Sequence, residues 1–462
     1  MQNFWDPNVW GHVNLIAVLL ISLLVANVLK KTIRLLRVSL IPTSVLGGIL
    51  LLIVAVVYKA ITGEVMLDTA FFGGDGMNFS EALTYHCLAL GFIASVFKPG
   101  KDKFSKERSR EIFDTGVTTV STYLIQGILG MGITILWALA GTGMFKAAGV
   151  LLPFGYGQGT GQALNYGSIY EADYGFVGGK SFGLTIAALG FLSAAIGGVI
   201  HLNILSHKGI IKRETEEIAE HYESDDIQKS HEIPMNGSID KLTVQLGLVF
   251  GTYIVAYLAI YVLGNLIPSF KSVLYGFNFL MGVIFASLFN SLLGRLREKG
   301  IIRKEYVNEF LMKRISGFFF DMMIVAGLAA IRIEVIAQYW VILLVLGIVG
   351  AVATYFYVRF IARKLFPNYP EEQFMVTYGM LTGTASTGII LLREIDREFK
   401  TPAAENLVYQ NFPAIIFGFP MMLLAALAPK QPELTLVILA AFFVVMNIIL
   451  FRRFIFRKKQ NR

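Results

Sequence analysis

The sequence predicts an all-α polytopic membrane protein: two inverted five-helix repeats, each with a Gly-rich re-entrant hairpin, plus one extra C-terminal span. Three observations lead there. Of 462 residues, 55% are hydrophobic and 16% charged, more apolar sequence than a soluble core consumes. The charge is also clustered. Thr115 to Tyr170 carries only Lys146, and Ser181 to Ile200, Leu242 to Phe270 and Val335 to Val358 carry no Asp, Glu, Lys or Arg. Each run is long enough for a bilayer core that takes about 20 helical residues. Lastly, two charge-free runs are crowded with glycine and small hydroxyls: Phe154-Gly155-Tyr156-Gly157-Gln158-Gly159-Thr160-Gly161-Gln162 and Tyr378-Gly379-Met380-Leu381-Thr382-Gly383-Thr384-Ala385-Ser386-Thr387-Gly388. Irregular backbone survives at membrane depth only where protein or a wet cavity satisfies it.

In chain order, spans are expected at 13–29, 43–61, 82–97, 113–140, 178–204, 242–264, 272–293, 311–331, 337–358, 406–428 and 434–451. The first is expected to be a retained helix, because Trp5, Asp6 and His12 precede it rather than a basic region. Orientation follows from the short loops. Lys30, Lys31, Arg34 and Arg37 follow span one, and Lys98, Lys101, Lys103, Lys106, Arg108 and Arg110 follow span three. Arg295, Arg297, Lys299, Arg303 and Lys304 follow span seven, and Arg359, Arg363 and Lys364 follow span nine. The tail adds Arg452, Arg453, Arg457, Lys458 and Lys459, whereas 62–81 has Glu64, Asp68, Asp75 and Glu81 and no Lys or Arg. The positive-inside rule then places the N-terminus outside and the C-terminus in the cytoplasm. The net charge of +8 thus encodes orientation, and a nucleic-acid partner is not expected.

Four segments result. Residues 1–205 form the first repeat, with its hairpin at about 147–170. Residues 206–240 form an acidic cytoplasmic linker with a short helix expected at 211–223. Residues 241–429 form the second repeat, with its hairpin at about 374–392, and 430–462 form the extra span and basic tail. Five spans per repeat invert the second copy, so the hairpins enter from opposite sides and their tips can meet near the midplane. The sequence leaves open whether span eleven packs against lipid or a second subunit.

A pair of Gly-interrupted apolar segments at corresponding places in two halves marks the binding site of a secondary transporter. Both segments read Tyr-Gly, spacer, Gly-Thr. The candidate substrate- and ion-binding residues are Tyr156, Gly157, Gln158, Gly159, Thr160, Gly161, Gln162, Tyr378, Gly379, Thr382, Gly383, Thr384, Ser386, Thr387 and Asp321. Glycine lets backbone approach a ligand closely. Na⁺ is a hard cation, and hairpin carbonyls with Thr160, Thr384 and Ser386 are oxygen donors suited to it. The alternative is that these small residues only allow close helix packing. Tyr156 and Tyr378 could line the site or brace the hairpins. Asp321, an acid within span eight, is a functional candidate by position; it could bind a coupling cation, carry a proton or pair with Arg314. Lys180 and Arg393 are placed to draw an anion. Asn411 and Pro413 are placed to break span ten. His86 and the lone Cys87 read as buried core residues, and no metal-ligand cluster accompanies them.

Other classes fit poorly. Gly155-Tyr156-Gly157 is similar to a potassium-filter fragment, but a filter needs equivalent loops from one side. There is no His-Glu-x-x-His and no Gly-x-Ser-x-Gly, so an enzyme is not expected.

At Gly157-Gln158-Gly159-Thr160-Gly161, followed by Glu171-Ala172-Asp173-Tyr174-Gly175-Phe176, the chain resembles the bacterial sodium:glutamate symporter family as a divergent member. Gly379, Gly383 and Thr384, followed by Leu392-Arg393-Glu394, resemble that family's second Gly-rich loop. The resemblance implies a homodimeric carrier coupling Na⁺ to uptake of glutamate or a related anionic amino acid or dicarboxylate, with no cofactor beyond the ion. Gln158 stands where the family has His, the spacer before Tyr174 is longer, and Asp321 replaces an uncharged residue. A proton-coupled or other carboxylate transporter of the same architecture is the alternative.

Overall fold

The computed structural model describes residues 3–97, 105–210, 232, 239–268, 271–276, 278–396 and 400–455. Among these, every element beyond one isolated bridge is helical. The main helices are α1 (Pro7–Thr32), α2 (Thr43–Thr62), α3 (Gly76–Val96), α4 (Lys106–Trp137), α5 (Leu151–Tyr174), α6 (Gly179–His207), α7 (Lys241–Leu266), α8 (Asn278–Glu298), α9 (Glu309–Ala329), α10 (Ile333–Leu365), α11 (Pro370–Thr382), α12 (Ala385–Arg393), α13 (Ala403–Tyr409), α14 (Asn411–Leu427) and α15 (Pro432–Leu450).

Among the described residues nine helices are long and apolar enough to cross a membrane, or ten if α13 and α14, bent by 49°, form one span. This is the chain of an all-α polytopic membrane protein. The break falls at Gln410, where Asn411 and Pro413 foretold one. α9 occupies the eighth expected span but is not among the nine, for Lys313, Arg314 and Asp321 dilute its apolar run. The expected helix at 211–223 and most of the acidic linker lie outside the described residues, as do Lys98, Lys101, Lys103 and the end of the tail.

Local chemistry sets the ends. Ser105 caps α4 by accepting from the Arg108 amide at 3.2 Å, and the Asp240 carboxylate caps α7. Gly63 and Gly175 close α2 and α5 in the left-handed conformation. Pro370 and Pro432 open α11 and α15, where a missing N–H costs nothing.

The described residues divide into two compact units. The first comprises Met1–Met77, Phe104–Arg213 and Gly327–Arg462; the second comprises Asn78–Lys103 and Glu214–Ala326. α10 is the ruler of the first unit: its 33 residues extend about 50 Å. At its N-terminal end Glu334 pairs with Lys59, and Tyr339 donates to the Val177 carbonyl at 3.3 Å. At its C-terminal end Arg363 pairs with Glu371 at 3.0 Å.

α15, at the place of the eleventh expected span, is docked within this unit. Asn447 of α15 donates to Ser121 of α4 at 3.0 Å and accepts from Tyr357 of α10 at 2.9 Å. Beyond it, Arg452 and Arg453 pair with the buried Asp114 of α4 at 2.8 and 2.9 Å. An acid left without those partners at such a depth would cost several kcal/mol, at about 3–5 for a broken buried pair.

In the second unit α3, α7, α8 and α9 pack through polar links between spans. His86 Nδ1 meets the Tyr253 hydroxyl at 2.7 Å, Tyr85 donates to the Tyr275 carbonyl at 2.6 Å, and Ser316 donates to the Gly91 carbonyl at 2.9 Å. His86 is a satisfied histidine of a helix interface, and Cys87 is a free, buried hydrophobe. The buried Lys241–Glu232 pair, 2.8 Å apart, is shared with the Asn308 amide.

Candidate functional site

α5 is not a straight rod. Phe154 and Tyr166, twelve residues apart, would be about 18 Å apart along a helix. Their rings instead stack at 4.2 Å. Phe145 before α5 and Phe176 after it stack at 4.9 Å, so the segment leaves where it entered. The reversal is at Gly159, with φ 74° and ψ −164°, a backbone region open in practice to glycine alone. The first limb runs to Gln158 and the second begins at Thr160. α5 begins and ends four residues later than the expected 147–170.

α11 and α12 make the second reversal, at Gly383-Thr384. Thr384 caps α12, its hydroxyl meeting the Thr387 amide at 3.4 Å and the Thr387 hydroxyl at 3.2 Å. The limbs touch backbone to backbone, because a Cβ on Gly379 would lie 2.7 Å from the Gly388 Cα. Both turns thus fall on the Gly-Thr pair that the two segments share.

The hairpins open at opposite ends of α10. The base of the first, at Phe176 and Val177, adjoins Tyr339, whereas Glu371 at the base of the second adjoins Arg363. Their turns come together halfway along. A Cβ on Gly190, near the middle of α6, would lie 2.6 Å from the Thr382 carbonyl oxygen and 3.2 Å from the Tyr156 Cα. α4 grips both: Tyr123 donates to the Gly157 carbonyl at 3.0 Å, and Gln126, one turn on, donates to the Leu381 carbonyl at 3.0 Å.

The candidate residues separate by role. Tyr156 donates to the Gly347 carbonyl at 2.6 Å and meets the Ser193 hydroxyl at 2.9 Å; Tyr378 donates to the Ser193 carbonyl at 2.9 Å. Both are buried, and their hydroxyls brace the hairpins against one residue of α6. Gly157 and Gly379 are close-packing positions, the first against the Tyr123 ring and the second against Gly388. The Thr382 hydroxyl is returned to the Tyr378 carbonyl at 2.7 Å. Thr160 is fully buried, with Gly327 packed on its side chain. Gln158 is half-buried, and Gly161 is buried beside Thr160. Gln162 is buried, accepts from Asn165 at 3.3 Å, and has no partner for its Nε2. The Ser386 side chain lies outside the described residues. Asp321 is on α9 in the second unit, with its side chain exposed. The structure therefore gathers the hairpin residues in one unit and leaves Asp321 in the other.

A cleft of about 450 Å³ lies at the mouth of the first hairpin, lined by Phe145, Lys146, Phe176, Tyr339, Pro429 and Pro432. It adjoins the limb ends rather than the turn, and Lys146 there pairs with Glu433 at 2.6 Å.

Three features had no counterpart in the sequence reading. Ser193 and Gln126 sit mid-span, and their partners are distant in the chain. The third is His201, fully buried on α6, with Nδ1 at 2.8 Å from the Tyr355 hydroxyl and Nε2 at 2.7 Å from Glu371. Glu371 is in the first turn of α11, outside every candidate span. The hydrogen bond to His201 above all, with Arg363 adding to it, holds its carboxyl down at about 2. A histidine inside a charge-free span was the available signal.

No protein-family model, curated protein or solved structure matches the chain. Among the described residues no group of three or more His, Cys, Asp or Glu side chains could hold a metal ion.

Proposed function

We propose that the protein is a secondary active transporter that couples Na⁺ to symport of glutamate or a related anionic amino acid or dicarboxylate. One observation carries this: two chain reversals at Gly-Thr pairs approach from opposite ends of one helical unit and converge at the middle of α6. In a bilayer these are re-entrant hairpins, and the five spans per repeat make the second an inverted copy of the first. The end of the unit holding the second hairpin's base also carries Arg34, Arg37, Arg108, Arg110, Arg359, Arg363 and Lys364, which supports a cytoplasmic assignment. The other end is then exterior, consistent with alternating access around fixed turns.

The chemistry of the turns suits the cargo. A limb ending at a free N-terminus attracts a carboxylate, and a limb ending in carbonyls attracts a cation. The residue pattern resembles the sodium:glutamate symporters, which supports the substrate class, a bacterial inner-membrane location and a homodimer. Gln158, in place of that family's His, favours no proton on that residue.

The test is uptake into proteoliposomes of the purified full chain, screening labelled amino acids and dicarboxylates with Na⁺ and H⁺ gradients imposed separately. The expected result is accumulation of an anionic amino acid or dicarboxylate under an inward Na⁺ gradient at equal pH. Equal accumulation from a proton gradient in Na⁺-free buffer would replace sodium by protons. No accumulation of any carboxylate would reject the class.

A further inference from the structure

Gln126 is fully buried in α4 and makes two hydrogen bonds through Nε2, to the Thr354 hydroxyl at 2.8 Å and the Leu381 carbonyl at 3.0 Å. Its Oε1 is buried and has no partner. Exchanging the two ends of the amide does not cure this. Leu381 O can only accept, so an oxygen turned toward it would meet another acceptor at hydrogen-bond distance. The unpartnered atom is therefore an acceptor. A buried acceptor without a partner is a costly thing to maintain in a low-dielectric interior.

Its surroundings are rich in oxygen. Leu381 lies in the last turn of α11, which stops at Thr382, and the final carbonyls of a helix have no intrahelical donors and carry the negative end of its dipole. The Thr382 carbonyl is at the Gly190 position of α6, beside Tyr156 of the other hairpin. One turn before Gln126, Tyr123 holds the Gly157 carbonyl. The orphaned oxygen thus lies on the one helical face that grips both hairpins, next to the C-terminal end of a broken helix. An alkali cation would satisfy both that oxygen and the helix end.

We propose that Gln126 is a ligand of the coupling cation, its Oε1 joining the carbonyls at the C-terminal end of α11 to receive Na⁺. This rests on the sodium-coupled reading and adds to it a residue outside either hairpin. Binding there would tie α4 to the second turn, so that the ion reports on whether the two hairpins are engaged together.

The test uses the purified full-length chain in detergent, in choline chloride at constant ionic strength, with NaCl as the only probe. The thermal unfolding midpoint is followed as NaCl replaces choline, since an ion that binds the folded state raises it. Wild type is expected to saturate. Gln126→Leu should raise the half-saturating Na⁺ at least tenfold. Gln126→Met, of similar length but without the amide oxygen, should raise it likewise, and it carries the test should the leucine variant fail to fold. Thr354→Val removes a brace of Gln126 but no ligand, and should leave the half-saturating Na⁺ within about threefold. If Gln126→Met, and Gln126→Leu where it folds, keep the wild-type value while wild type responds to Na⁺, Gln126 is a brace only and the sodium reading stands. A shift in Thr354→Val as large as in Gln126→Leu would also overturn the assignment. Wild type blind to Na⁺ would remove the inference and the sodium reading together.

Discussion

Replacing Gly159 by alanine will cost at least tenfold in the uptake proposed above, with the polypeptide still inserted in the membrane. The backbone there has φ 74° and ψ −164°, and a residue with a Cβ held in that region pays about 1–3 kcal/mol. About 1.4 kcal/mol is tenfold in an equilibrium constant. The strain can be relieved only by unwinding the turn, which would move Thr160 and separate the stacked Phe154 and Tyr166. Gly132→Ala in α4 is the matched control: its added methyl would meet nothing within 4 Å and it sits in regular helix, so uptake should be unchanged. The comparison is made by proteoliposome uptake, normalised to folded protein from size-exclusion profiles. Equal uptake in the two variants would mean that the reversal at Gly159 has no part in transport.

Gly388→Ala should be still more damaging, and by a different route. A Cβ at Gly388 would collide with the Val376 carbonyl and stand 3.3 Å from the Met380 amide, so the obstruction is backbone of the facing limb. Overpacking of a tight core costs about 1–3 kcal/mol and occasionally more, and a limb that cannot yield belongs at the upper end. The expected outcome is a lower thermal midpoint together with lost uptake. Trimming Val376 to alanine will not rescue it, because the clash is with the carbonyl and not the side chain. Rescue by Val376→Ala would show that the limbs are looser than the Gly379–Gly388 contact implies.

These two glycines illustrate what was legible in the sequence. The Gly-Thr pairs stood out because small residues in a charge-free run violate the ordinary composition of a span, and both turns fall on them. The spans were legible for the same reason, since a run without charges is visible one residue at a time. α9 is the instructive exception: Lys313, Arg314 and Asp321 lie in its sequence, and it folds as a helix in the expected place although its apolar run is weak.

What stayed hidden depends on pairings between distant segments. Ser193 is an unremarkable residue in a small-residue helix until Tyr156 and Tyr378 arrive from 37 and 185 residues away. The sequence left the two tyrosines undecided between lining and bracing, and only the position of Ser193 could separate the two. His201 was passed over although Glu371, 170 residues on, completes it. The docking of α15 likewise needed Asp114 and Arg452, 338 residues apart, to be brought together. Local pattern finds elements and breaks in them; it does not find the partner that gives a buried polar group its role.

The central claim is that the two hairpins enter from opposite faces of the membrane and share one site. Single cysteines placed in a Cys87→Ala background at Val177, at the base of the first hairpin, and at Glu394, at the base of the second, test it directly with a membrane-impermeant maleimide on intact cells. The account predicts that the Val177 position labels from outside and the Glu394 position only after permeabilisation. Labelling of both from the same side would contradict the inverted arrangement and the shared site with it.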